Sequence, residues 1–241
     1  MPVFVEIIDA DAAADTVRAA EQVFDMFRRI DDTFSTYKDG SEISRINRGE
    51  LTPEEYSDDM RTVLRLAEET KRESGGFFDI RTPQGTLDPS GLVKGWAISG
   101  AATLLRDQGY MDFYLEVGGD IQTSGNDASG NEWRIGIRDP QHHERIVKVV
   151  EPRSNGVATS GTAARGAHIW DPYAQAPARS PYLSITVIGP SVYEADRFAT
   201  AAFAMGEGGM DFLAALSGFE AYAIDAARMA TMTAGFSTYV V

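Results

Sequence analysis

Leu183-Ser184-Ile185-Thr186-Val187-Ile188-Gly189-Pro190-Ser191-Val192-Tyr193-Glu194-Ala195-Asp196-Arg197-Phe198-Ala199-Thr200-Ala201-Ala202-Phe203-Ala204-Met205 changes character in the middle. Leu183 to Ile188 is a β-branched run bounded by turn residues, and reads as a strand. Tyr193 to Met205 reads as a helix. Upstream, Phe113 to Val117, Trp133 to Ile137 and Ile146 to Val150 also read as strands. Downstream come a helix from Met210 to Leu216 and closing strands over Phe219 to Ile224 and Met229 to Tyr239.

The first half is mainly helical. Val3 to Ile8 is a short strand. Asp11 then caps a long helix whose apolar face is Val17, Ala20, Phe24, Phe27, Ile30 and Phe34. A polar turn, Lys38 to Ser41, leads on to a second helix from Pro53 to about Ser74. Its inward residues are Tyr56, Met60, Val63, Leu64 and Ala67, and Gly75-Gly76 closes it. Leu87 to Gly95 is expected to be a tight turn feeding a helix near Trp96 to Leu105. Asp171 to Pro181 reads as a mobile loop. Strands and helices mix without strict βαβ alternation, so the expected fold class is α+β, as a single domain over residues 1–241.

The chain has 241 residues, 43% of them hydrophobic, enough for a sizeable core. Its 22 basic and 36 acidic residues leave a formal net charge of -14. That balance excludes a general nucleic-acid binder, which needs a basic face. A phosphate ligand would need a local device: a cation, a few basic side chains or aimed backbone amides. There is no cysteine, so thiolate metal sites, thiol nucleophiles, disulfides and a lipid-modified Cys are excluded. The N-terminus has no basic leader region, and no apolar run reaches about 18 residues. The chain is expected to be cytoplasmic.

Several stretches concentrate chemistry. Phe34 to Asn47 gathers an aromatic and hydroxyls that suit a ring-bearing ligand, although Ser41 or Ser44 serves equally as a helix cap. Asp88-Pro89-Ser90-Gly91-Leu92-Val93-Lys94-Gly95 is a glycine-bearing turn at a helix start, where amides and Lys94 can meet an anion. It lacks Walker A spacing, and Asp88 can act simply as a cap. Val117-Gly118-Gly119-Asp120-Ile121 is a tight turn that lets a backbone or a ligand approach. Of three histidines, His142 and His143 sit in a polar loop and are expected at the surface. His168 lies between a hydroxyl run and Asp171-Pro172, which suits a general base. Asp196 and Thr200 are four apart on one helix face, two oxygen donors for a hard cation.

Taken in order, these segments resemble the ApbE-type FAD:protein FMN transferases. The resemblance is carried by Phe-Ser-Thr-Tyr…Ser-Glu-Ile-Ser-Arg-Ile-Asn (34–47), Gly-Gly-Phe-Phe-Asp-Ile (75–80), Asp-Pro-Ser-Gly-Leu-Val-Lys-Gly-Trp-Ala (88–97) and Val-Gly-Gly-Asp-Ile (117–121). Val-Ala-Thr-Ser-Gly (157–161), His-Ile-Trp-Asp-Pro (168–172) and Glu-Ala-Asp-Arg-Phe-Ala-Thr-Ala (194–201) complete it. The resemblance implies one domain of largely antiparallel sheet packed with helices, binding FAD and Mg²⁺. It implies transfer of FMN from FAD to a threonine hydroxyl of a flavin-accepting redox protein, with release of AMP. The alternatives are an FAD diphosphatase, with water as acceptor, and a non-catalytic FAD-binding protein.

By matching position, Asp196, Thr200 and the carbonyl of Gly91 would hold the metal. Tyr37, Phe78, Asp79, Asp88, Lys94 and Ile169 would contact the flavin nucleotide. His168 would deprotonate the acceptor threonine. Met1-Pro2-Val3 aligns with a segment near the cofactor. The chain departs from the family in a short stretch between Ile80 and Asp88. Asp-Pro-Ser-Gly replaces Asp-Leu-Gly-Gly, and the sequence after His168 loses an arginine for which Arg165 is a candidate replacement.

Overall fold

The computed structural model describes residues 1–8, 13–142, 144–162 and 169–241. In chain order the elements are β1 (Val3–Ile7), α1 (Ala13–Phe34), α2 (Glu42–Asn47), α3 (Asp58–Glu73), α4 (Ser90–Asp107), β2 (Phe113–Val117), β3 (Asp120–Ser124), β4 (Ile135–Arg138) and β5 (Ile146–Val150). There follow β6 (Gly156–Gly161), β7 (Trp170–Asp171), β8 (Ala176–Pro177), β9 (Tyr182–Gly189), α5 (Val192–Met205), α6 (Gly209–Ala215), β10 (Glu220–Asp225) and β11 (Ala230–Met232).

A seven-stranded sheet in the order β1-β2-β3-β6-β9-β10-β11 forms the centre, and every neighbouring pair is antiparallel. The α+β expectation therefore holds. The sheet's two faces follow from the period of two along its strands. Ile185 and Val187 of β9, with Ala221 and Ala223 of β10, meet α5 and α6 through Phe198, Ala202 and Leu213. Ile188, Tyr222 and Ile224 point the other way, onto the β4–β5 hairpin (Ile135, Ile137, Val150) and Phe236. Helices thus cover one face and a small hairpin covers the other.

Gln122 of β3 ties the two layers together. Its Oε1 accepts the Val192 N–H at 2.8 Å, at the start of α5, while its Nε2 donates to the carbonyls of Ser154 at 3.0 Å and Thr123 at 2.9 Å. Arg197 of α5 is buried and ties that helix to α3, donating to Glu73 and, at 3.2 Å, to the Thr70 hydroxyl. It is also paired with Glu194 at 2.5 Å.

Several boundaries differ from expectation for local reasons. In α1 the buried stripe is Ala19, Val23, Ile30 and Phe34, with Met26 and Phe27 partly covered, whereas Val17 and Phe24 stay exposed. This second stripe also runs at steps of three and four, and it is the one that meets Ile98, Ala101 and Leu105 of α4. Asp11, the expected cap, lies outside the described residues. The expected helix from Pro53 is two pieces, a 3₁₀ turn over Pro53–Glu55 and then α3. Ser57 starts α3 by accepting the Met60 N–H at 3.1 Å. Helix α4 begins six residues before the expected Trp96, so Gly91 and Gly95 are helical rather than turn glycines. Met229–Tyr239 is one short strand followed by a 3₁₀ turn. The stretch expected as a loop after Trp170 contains the β7–β8 hairpin, which Tyr173 docks by donating to the Gly75 carbonyl at 2.5 Å. Among the described residues no helix is long and apolar enough to cross a membrane.

Candidate active site

The site forms where α4 and α5 cross. A side chain on Gly95 would place its Cβ 2.8 Å from the Asp196 Cβ and 2.9 Å from the Val192 carbonyl, so only glycine allows this approach. The contact is also polar. The Gly95 N–H donates to Asp196 Oδ2 at 2.9 Å. In a regular helix that amide serves the carbonyl four residues back, which is Gly91. Asp196 therefore competes for the hydrogen that would otherwise occupy the Gly91 carbonyl.

A second carboxylate comes from the sheet. Gly118 and Gly119 have φ of 60° and 95°, the left-handed values a two-residue hairpin turn requires, and they put Asp120 at the head of β3. Asp120 is 1% exposed and Asp196 is 3% exposed. Asp120 Oδ1 accepts the Thr159 N–H of β6 at 3.2 Å, just beyond the paired part of those two strands. The Lys94 ammonium lies between the acids, 2.5 Å from Asp120 Oδ2 and 3.5 Å from Asp196 Oδ1. It approaches Asp120 Oδ2 without the direction of a hydrogen bond. Among the described residues one ammonium faces two buried carboxylates, an excess of negative charge in a place that water barely reaches. Burial raises the Asp196 carboxyl, Lys94 pulls it back and Asp120 raises it further, so that it sits at about 7.

Hydroxyls complete the floor. The Thr200 Oγ1 and Ser160 Oγ of β6 are 3.1 Å apart. A Cβ on Gly91 would lie 3.5 Å from Thr200 Cγ2 and 3.4 Å from the Phe78 ring, so these residues share one small volume. Among the described residues no three His, Asp or Glu side chains converge. The donors are mixed oxygens: carboxylates, hydroxyls and the Gly91 carbonyl. Such a set, with surplus buried negative charge, fits a hard divalent cation such as Mg²⁺.

Above this floor opens a cavity of about 400 Å³. Phe78, Asp79, Asp88, Gly91, Lys94, Ile169, Asp196 and Thr200 all line it. Asp79 accepts from Lys71 Nζ at 2.6 Å and from the Arg81 N–H at 2.9 Å. Asp88 accepts the Ser90 N–H at 3.0 Å and so steadies the start of α4. Tyr37 is not part of this wall; it is 97% exposed on the turn between α1 and α2, where Ser41 caps α2. The Pro2 carbonyl accepts the Gly118 N–H at 3.1 Å, which brings the chain start beside the wall. His168, His143 and Arg165 lie outside the described residues. His142 is at the surface, beside Arg228.

Asp120, Ser160 and Arg81 were not singled out by the sequence as site residues, yet all three belong to the floor or the wall. An acid directly after Gly-Gly at a strand head was the available signal for Asp120. Ser160 lay in the hydroxyl run before His168, which was its signal; Arg81 carried none.

The family model described as ApbE matches residues 1–84 and 81–223. The chain belongs to the ApbE family. It is 33% identical over 142 residues to the FAD:protein FMN transferase of Vibrio cholerae, which covers 55% of this chain and 42% of that protein. It is 25% identical to the Haemophilus influenzae protein of the same name over 83% of this chain and 76% of that one. Several of these curated relatives are thus matched over less than half their own length. The flavin transferase ApbE structure from Vibrio cholerae superposes with a TM-score of 0.85 at 23% identity, covering 98% of this chain and 95% of that one. The ApbE protein of Thermotoga maritima gives 0.84 at 20% identity, over 98% and 95%. At these identities the superpositions establish the ApbE fold.

Proposed function

We propose that this chain is a Mg²⁺-dependent FAD:protein FMN transferase, which moves FMN from FAD to a threonine hydroxyl of a partner redox protein and releases AMP. The observation that carries the reading is the floor itself: two buried carboxylates, two hydroxyls and one ammonium beneath an open cavity at the start of α4. The activity named for the curated relatives supports it.

Asp196, Thr200 and the Gly91 carbonyl would hold the cation, with Asp120 fixing Lys94 beside them. When bound, Mg²⁺ neutralises diphosphate charge and polarises the bond to be broken. At the start of α4 the Ser90, Leu92 and Val93 amides are engaged by Asp88 and the Pro89 carbonyl, which leaves the Gly91 amide for a phosphate oxygen. Phe78 and Ile169 supply apolar wall. The acceptor oxygen attacks the FMN phosphorus, the bond to the AMP oxygen breaks, and AMP departs with those electrons. The acceptor proton passes to a base, a role assigned to His168 by sequence position; Ile169, the next residue, lines the cavity.

The test is incubation of the protein with FAD and Mg²⁺, with and without EDTA and a threonine-bearing acceptor peptide, followed by chromatography. AMP that appears only with metal and acceptor, with a matching mass gain on the peptide, is the expected result. Free FMN and AMP without acceptor would make it a diphosphatase, and bound but intact FAD under every condition would make it a binding protein.

A further inference from the structure

Arg81 stands at the cavity mouth on a stiffened loop. Arg81 and Leu87 pair as an antiparallel bridge. Inside it the Thr82 N–H donates to the Thr86 carbonyl at 2.8 Å, and the two threonine hydroxyls are 2.6 Å apart. Asn47 of α2 grips Leu87 from both sides, donating to its carbonyl at 2.9 Å and accepting its N–H at 2.7 Å. The Asp79 carboxylate fixes the Arg81 backbone amide. The loop is therefore a platform rather than a loose connection.

The charges around it are uneven. Lys94, the other cation on the described wall, faces Asp120 and Asp196, and Asp79 is 2.6 Å from Lys71. The Arg81 side chain makes no ion pair or hydrogen bond among the described residues. It is exposed and faces the cavity in a chain of net charge -14. A guanidinium offers a planar fork that matches phosphate oxygens. We infer that Arg81 binds the phosphate oxygens of the substrate and so makes the site select phosphorylated flavins over riboflavin. The identity of the anion as FAD rests on the function proposed above; the phosphate chemistry rests on the exposed Arg81 guanidinium and the cavity it lines.

The test uses metal-free protein and three probes: inorganic pyrophosphate by calorimetry, and FAD and riboflavin by flavin fluorescence. Arg81→Gln is expected to weaken pyrophosphate and FAD binding by roughly 10- to 100-fold, to flatten their salt dependence and to leave riboflavin affinity unchanged. Arg81→Lys is expected to restore part of the loss. Both variants should keep the wild-type Tm, because the side chain is exposed. Equal pyrophosphate binding by wild type and Arg81→Gln overturns the inference, as does an equal loss of riboflavin. Arg81-dependent pyrophosphate binding without any FAD binding supports the inference and sinks the flavin reading. FAD binding that ignores Arg81 does the reverse.

Discussion

Asp196 and Asp120 on the cavity floor are almost wholly buried and are held from α4, β3 and β6 at once, whereas Arg81 at the mouth is exposed and held through its backbone, by Asp79 on its amide and by Asn47 on its bridge partner Leu87. The floor is a strained electrostatic arrangement locked in by close helix packing. The mouth is a surface platform whose side chains can change without disturbing the core. Function that requires invariant geometry sits where removal of any one atom is expensive. Choice among ligands sits where substitution costs little.

The strongest break in this contrast is at Asp196. Asp196→Asn keeps the shape but removes the charge, and AMP release should fall by on the order of 100-fold or more, since even indirect disturbance of a metal site costs 10- to 100-fold. The same variant tests the floor's stored cost. The folded Asp196 carboxyl sits at about 7, above its ordinary 3.8, so the folded state holds a proton that the unfolded chain has lost between those values. In metal-free protein this destabilisation is absent below pH 4, grows as the pH rises through that window and is complete above about 7. The stability of wild type relative to Asp196→Asn should therefore drop between pH 5 and 8, by at most about 1.4 kcal/mol per pH unit. Added Mg²⁺ at pH 8 should raise the Tm of wild type alone. A flat difference in chemical denaturation across that range would refute the account.

Gly95→Ala comes next. The added methyl meets the Val192 carbonyl, which cannot rotate away, so the helices must separate. A loss of about 3 kcal/mol, or roughly 6–12 °C in Tm, is expected in a thermal scan, with weaker metal binding. Asn47→Ala should be milder, at about 1–2 kcal/mol, because it frees two partly buried backbone groups of Leu87. Its signature would be local: faster hydrogen exchange at the Leu87 amide, with the exchange of α5 amides unchanged.

Legibility in the sequence followed the same division. β9 and α5 were readable because an unbroken β-branched run and helical spacing report burial directly. β3 and β6 were not, since Asp120-Ile121-Gln122-Thr123-Ser124 and Gly156 to Gly161 are polar or small; their burial depends on neighbours far away in the chain. The glycines of α4 read as a turn, although Gly95 is there to admit Asp196. Asp196 and Thr200 were visible as a spaced pair of oxygen donors, but such a pair is common on helices, and the family resemblance was what singled it out. Nothing local distinguished Arg81, because its meaning lies in which other cations are already engaged. Tyr37 matched by motif, yet its ring stands in solvent, apart from the cavity.

Gln122 has a further consequence. Its amide fixes the first N–H of α5 against a strand whose head carries Asp120, so one strand indexes both acids to each other. Adding or removing one residue between Gly189 and Val192 would advance α5 by about 1.5 Å and turn it by about 100°, carrying Asp196 off the cavity floor altogether. The connection from Gly125 to Glu132 has no such duty. Length variation in descendants of this chain should collect there and spare the two-residue entry to α5, Pro190-Ser191, so that the tolerance of the fold to insertion is itself a map of where its chemistry is anchored.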